Sequence, residues 1–141
     1  VIDFPPGTGA AQLTLPKAVP MSGAVIVTTP QDVSLMDARR GLKMFEQLNV
    51  NVLGIVENMS YFIPPDLPDR RYDLFGSGGG EKAAKELNVP LLGCIPLEIS
   101  LREGGDRGIP IVVSHPNSAS AQALSAIAQQ VAAKISVVAL T

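Results

Sequence analysis

Apolar residues occur along this chain in short unbroken runs separated by amphipathic stretches, and the runs predict strands. Ala24-Val25-Ile26-Val27 and Asn51-Val52-Leu53-Gly54-Ile55-Val56 are continuous and rich in β-branched residues, the pattern of parallel strands covered on both faces. Val89 to Pro96 gives a further strand, and Val1-Ile2, ending on Asp3, reads as the end of another. Between the runs helical spacing takes over. Leu35, Leu42 and Phe45, with Met36 and Leu48 beside them, share one helical face. Thr29 suits the N-cap of that helix, Pro30 its first position and Asp32 its first turn, and its end is expected near Leu48-Asn49. A helix from Ala11 is kept short by Pro16, since an interior proline costs about 3 kcal/mol. Ser77 is the expected N-cap for a helix over Glu81–Leu87. A last helix, Ser118–Lys134, spaces Leu124, Ile127, Val131 and Ile135 along one side. Tyr61–Asp73 is a proline-bearing loop, Leu97–Gly108 is rich in charge and glycine, and Ile109–Val113 is a short apolar run. Val137–Thr141 reads as a frayed tail.

Strand and helix therefore alternate. This predicts an α/β fold: a mainly parallel sheet with helices on both faces, in one domain over residues 1–136. Ligands of such sheets sit beyond the carboxyl ends of the strands. Three polar groups are expected there: Asp3 with Pro5-Pro6-Gly7-Thr8-Gly9, the pair Glu57-Asn58, and Pro96-Leu97-Glu98.

Composition narrows the classes. A chain of 141 residues can bury a core. With 17% charged residues and a net charge of −2 it has no strong attraction to nucleic acid or anionic lipid, and 4% aromatics leave few platforms for stacking bases. No apolar run reaches the roughly 20 residues that span a bilayer, and no signal peptide is visible. A lone cysteine fits a reducing compartment, so the cytoplasm is the expected location. The chain opens within a strand-like run and without Met, and it reads as the C-terminal part of something longer.

Several residues carry two readings. Asp3 at a strand end is able to hold hydrated Mg²⁺ while glycine N–H groups sense a phosphate, or it is an exposed acid at a loop exit. Gly78-Gly79-Gly80 is an anion site at a helix start or a place of close packing. Asn58 is a base-recognising carboxamide or a turn residue. Asp66 and Asp69 are hard-metal ligands or solvated loop acids. Arg39-Arg40 reads as a solvated helix face, Cys94 as a small hydrophobe in a strand, and His115 has no nucleophile partner.

Taken in order, Asp3 to Gly9, Gln12-Leu13-Thr14-Leu15, Gly23 to Gln31, Gly54 to Ser60, Phe75 to Gly80 and Arg102 to Asp106 resemble the Mrp/ApbC family. These are P-loop ATPases that act as iron–sulfur cluster carriers, related to the nitrogenase iron protein and to MinD and ParA. The resemblance covers Val1 to about Val131. It implies a P-loop NTPase-like three-layer fold, lacking its N-terminal part here. It also implies ATP and Mg²⁺ as cofactors, a homodimer, and iron–sulfur apoproteins as clients. Asp3 would match the Walker B acid that holds Mg²⁺ through water. Gly7, Thr8 and Gly9 would form the switch loop facing the γ-phosphate. Asn58 would hydrogen-bond adenine, with Pro96 and its neighbours to Glu98 against base or ribose.

Three departures bear on the transfer. The Lys-Gly-Gly-Val-Gly-Lys-Ser type of phosphate loop is not in this sequence, so the chain alone is expected neither to bind ATP tightly nor to hydrolyse it. The loop after Asn58, Phe62-Ile63-Pro64-Pro65-Asp66-Leu67-Pro68-Asp69, lacks the family's Cys-x-x-Cys pair, two of which from two subunits hold a [4Fe–4S] cluster. Ala10 stands where the family commonly has an acid. Two readings stay open: an ATP-binding and ATP-hydrolysing iron–sulfur cluster carrier, or a nucleotide-dependent adaptor that binds protein partners without a cluster. A MinD- or ParA-like positioning ATPase is disfavoured by the non-basic last helix.

Overall fold

The computed structural model describes residues 1–140. Three parallel strands form its sheet in the order β1-β2-β3: β1 Ala24–Thr28, β2 Val52–Glu57 and β3 Leu91–Cys94. Helices α2 (Asp32–Gln47) and α3 (Gly79–Glu86) make the two crossovers. Around them lie α1 (Ala10–Ala18), α4 (Ile99–Arg107), α5 (Ile111–Ser114) and α6 (Ala119–Leu140).

The period of two in a strand sends alternate side chains to opposite faces, and the core divides accordingly. Ile26 and Ile55 meet Leu35, Ala38 and Leu42 of α2 and Ala83 and Ala84 of α3. Val56, Leu92 and Ile95 meet Ile127 of α6 on the other side, with Leu101, Leu124 and Val131 packed around them. Helices thus cover both faces, as the alternation of elements predicts. Ile55, with no exposed surface, is at the centre.

Helix ends follow one local rule. Asn49 and Asn88 adopt positive φ (56° and 53°), as does Gly108 (71°). Each is followed by a residue whose N–H reaches back to the last turn: Val50 to Phe45 O, Val89 to Ala84 O and Ile109 to Gly104 O. This is the Schellman arrangement, and it delivers β2 and β3 after the Leu-Asn-Val repeats at 48–50 and 87–89. Gly104 is needed for the third, because a Cβ there would stand 2.5 Å from the Ile109 carbonyl.

The structure revises five local expectations. Helix α2 starts at Asp32 behind Gln31, not at Pro30; Thr29 instead donates from Oγ1 to Ser34 Oγ at 2.6 Å. Helix α3 follows Gly78 in a left-handed conformation (φ 71°), not a Ser77 cap. The glycine-rich stretch after Leu97 forms α4, because Gly104 admits the Ile109 carbonyl and the helix end is closed by Gly108. Val1 to Phe4 is not a strand: among the described residues it pairs with none of the three strands and lies across a groove from the edge of β1. Finally, α6 continues through Val137 to Leu140, and Thr141 lies outside the described residues. With 22 residues and a most apolar stretch of mean hydropathy 1.5, α6 is long and apolar enough to cross a membrane by length and composition. Its glutamines and serines interrupt any continuous apolar run, which is why the sequence pattern does not show it. In the fold, its Ile127 side packs on the sheet.

Strand β1 is an edge strand whose second face is only partly covered: Val25 packs toward the Ile127 side, but the strand is not buried on both faces as its apolar run predicts. Val27 is 62% exposed. Beside it runs a groove of about 750 Å³, lined among others by Ile2, Asp3, Val25, Val27, Val131 and Ile135.

Candidate functional site

The carboxyl ends of the three strands are laced together by backbone hydrogen bonds that run past the strands themselves. Asn58 N–H donates to Thr28 O (2.7 Å), Ile95 N–H to Glu57 O (2.8 Å), Ser60 N–H to Ile95 O (3.0 Å) and Leu97 N–H to Tyr61 O (2.8 Å). The Asn58-Met59-Ser60 turn and the Ile95-Pro96-Leu97 segment therefore lie side by side at this edge. Two of the three sequence-marked groups meet.

Met59 takes positive φ (53°), and Asn58 Oδ1 accepts the Met59 N–H at 2.9 Å. Asn58 is thus a turn former, and its half-exposed Nδ2 group makes no hydrogen bond among the described residues. The two readings of this residue are compatible: one oxygen holds the turn and the amine remains a donor. Pro96 is buried. Glu98 lies at the start of α4, but its carboxylate accepts from Ser120, from N–H at 3.2 Å and from the hydroxyl. It fixes the first turn of α6 against the sheet edge.

The third group stands apart. Asp3 and Gly7 line the groove beside β1, whose lining includes none of Asn58, Pro96 or Glu98. Asp3 is exposed. Gly7 has φ 97°, and the loop is tied internally by Gln12. That side chain, 3% exposed, donates from Nε2 to Pro5 O at 2.5 Å and to Pro6 O at 3.3 Å. Thr8 and Gly9 follow as an exposed turn into α1.

The glycine run 78–80 serves packing. A Cβ at Gly79 would overlap the Pro30 carbonyl, and one at Gly80 would lie 2.8 Å from a Glu57 carboxylate oxygen. The Gly80 N–H already has an anion: Glu57 Oε2 accepts it at 2.5 Å, while Oε1 accepts Ser60 Oγ–H at 2.5 Å. The helix start is filled from within, so it does not serve as a phosphate cradle.

Glu57 and Gln12 are the residues that sequence reasoning left without a role. For Glu57 a signal existed. It lies two residues after Ile55, so the strand period turns it inward, and a buried carboxylate needs partners. For Gln12 no pattern marks the contact.

The loop after the turn is pinched shut. Phe62 and Tyr72 exchange N–H···O bonds of 2.8 Å, and the Arg71 guanidinium lies 4.2 Å over the Tyr61 ring. Asp66 and Asp69 are exposed, and among the described residues no three His, Cys, Asp or Glu side chains group as metal ligands. Burial pushes the half-buried Cys94 thiol up, against an opposing hydrogen bond from Ser60. Arg39 pairs with Glu86 across α2 and α3; both are half exposed, so the pair contributes under about 1 kcal/mol.

Among the described residues the strand ends thus offer a free amide donor on Asn58 and no phosphate cradle, and Asp3 lies in a separate groove.

Comparison with known proteins gives the context. A family model, ParA, described as NUBPL iron-transfer P-loop NTPase, matches residues 1–132. The chain is 79% identical over 140 residues to a protein of Synechocystis named iron-sulfur cluster carrier protein, covering 99% of this chain and 40% of that one. Among solved structures it is similar to the nucleotide-binding protein of Archaeoglobus fulgidus in complex with ADP, with a TM-score of 0.65 and 39% identity over 74% of this chain and 43% of that one. It is also similar to the cell division ATPase MinD of Pyrococcus furiosus, with a TM-score of 0.61 and 29% identity over 78% and 42% of the two chains. The chain spans about 40% of the length of the curated relatives it matches.

Proposed function

Because this chain belongs to the ParA family of NUBPL-type iron-transfer P-loop NTPases, we propose that it forms the base-side part of a carrier that binds and hydrolyses ATP and delivers iron–sulfur clusters to apoproteins. The observation that carries this is the pairing of the Asn58 turn with the Ile95–Leu97 segment at the carboxyl edge of the sheet, where α/β folds bind their ligands. Asn58 donates to the adenine edge, and the Pro96 segment forms the wall beside it. ATP, when bound, supplies the phosphoanhydride whose hydrolysis drives the switch. Asp3 would hold Mg²⁺ through water, and the Gly7-Thr8-Gly9 loop would sense the terminal phosphate, with the phosphate cradle supplied by another part of the whole protein. The whole protein works as a homodimer in the cytoplasm.

The cluster is cargo, and this chain does not hold it alone. A [4Fe–4S] cluster takes about four thiolates, and the chain has one cysteine. All of the cluster's ligands come from elsewhere in the whole protein. That cysteine count favours a second reading, a nucleotide-dependent adaptor that carries no cluster. Anaerobic reconstitution of the whole protein with iron and sulfide separates the two. A carrier retains roughly four irons per dimer and does so equally well after Cys94→Ser. An adaptor retains none. ATP titration tests the nucleotide class: micromolar binding by the whole protein and none by the isolated chain is expected, and micromolar binding by the isolated chain overturns the division of the site.

A further inference from the structure

Glu57 is a buried acid (3% exposed) at the end of the central strand, and the proposed nucleotide chemistry does not use it. Its position is unusual in what it joins. One carboxylate oxygen takes the hydroxyl of Ser60, and the other takes the N–H of Gly80 in the first turn of α3. Ser60 and Gly80 are the two ends of the long excursion that leaves the sheet edge after Asn58. The backbone of Glu57 is engaged as well, its carbonyl accepting the Ile95 N–H at 2.8 Å. A single residue thus fastens the Asn58 turn, both ends of the loop and the Pro96 segment. Gly80 lacks a side chain where one would stand 2.8 Å from the carboxylate and 2.9 Å from Glu57 Cβ, so the approach depends on glycine.

We infer that Glu57 is a positioning residue for base recognition: through Ser60 and Gly80 it sets the Asn58 carboxamide against the base and couples that carboxamide to the 60–80 loop. This rests on the nucleotide reading above. Asn58 precedes Ser60 by two residues, and Met59 between them is held in the left-handed region, so the turn has little freedom once Ser60 is fixed. Without the carboxylate the turn keeps only its backbone bonds to Thr28 O and Ile95 O, and the Asn58 carboxamide is held less firmly against a base. Any partner that pulls on the loop acts on the same carboxylate. By linkage, its affinity and that of the nucleotide then change together.

The test uses the whole protein and two ligands, ATP and inorganic tripolyphosphate, which shares the phosphates and lacks the base. Glu57→Ala removes both bonds. Gly80→Ala leaves the acid intact but displaces it from a point on another element. Each is expected to weaken ATP binding about five- to tenfold, the loss of one well-placed hydrogen bond, and to leave tripolyphosphate binding unchanged. Glu57→Gln keeps an acceptor for Gly80 and a donor for Ser60, and it is expected to stay within about twofold of wild type. Equal losses for both ligands, or unchanged ATP binding in Gly80→Ala, overturn the inference while the nucleotide reading stands. If the wild-type protein binds ATP no more tightly than tripolyphosphate, the base reading itself fails and this proposal falls with it.

Discussion

Ile55→Ala is expected to destabilise the protein by about 3–4 kcal/mol, at the upper middle of the range for buried aliphatic truncations. Ile55 has no exposed surface and lies in the core between Leu35, Leu42 and the alanines of α3. Those neighbours belong to two different helices, and Ala83 and Ala84 are too short to move into the space left behind. The cavity therefore persists, and its cost adds to the lost transfer free energy. Ile55→Val removes one methylene and should cost about 1 kcal/mol. Chemical denaturation with coincident fluorescence and circular-dichroism transitions measures both. A loss below about 1 kcal/mol for the alanine variant would mean that the two layers close over the gap, contrary to the packing described.

Gly79→Ala is the second large effect, and its sign is diagnostic. Gly79 is the first residue of α3, and alanine in a helix is favoured over glycine by up to about 1 kcal/mol. On propensity alone the variant would be more stable. The fold predicts the reverse. The added Cβ overlaps the Pro30 carbonyl oxygen and comes within 2.9 Å of two other Pro30 backbone atoms. Both sides of that contact are main chain at the carboxyl edge of the sheet, where Asn58 N–H is bonded to Thr28 O. Neither side yields cheaply, and overpacking of this kind costs about 1–3 kcal/mol. A net loss of about 2 kcal/mol is expected, with a thermal midpoint lower by several degrees. A stabilised variant would place α3 further from the β1–α2 connection than described.

The layer structure was legible because it rests on two periodicities the chain states openly. Ile26 and Ile55 lie in continuous β-branched runs, and Leu35, Leu42 and Phe45 follow at helical spacing. The places where reading failed share a physical cause: the deciding contact is long-range. Nothing local says that Gly104 and Gly105 are in a helix. That depends on the backbone approach of Ile109 and the closing turn at Gly108. Pro30 looks like a first helical residue until its carbonyl is seen packed on Gly79, forty-nine positions later. Val1-Ile2-Asp3 has strand composition, but a strand exists only when paired, and among the described residues this segment stays across a groove from β1 without pairing to it.

At the candidate site the same division holds. Asn58 and Pro96 are marked by their places at strand ends, and the structure brings their segments together. The resemblance to a known family assigned them roles that spacing alone does not. Glu98 was marked by the same rule, yet its carboxylate reaches Ser120 at the start of α6, a contact invisible in one dimension. The triple glycine offers an anion site on paper. In three dimensions Glu57 occupies it: Gly80 lets the acid come close, while Gly79 admits the Pro30 carbonyl. The lone Cys94 lies in β3, as its apolar run predicts, but at the strand's end and half-buried, outside the core clusters.

The central claim is that the carboxyl edge formed by Asn58 and the Pro96 segment is the base side of a nucleotide site. Photolabelling of the whole protein with 8-azido-ATP, followed by peptide mapping, addresses it without mutation. The account predicts ATP-competable label within residues 58–62 and 95–98. Label at the 76–80 glycines or along α6, with none at the strand ends, would contradict it.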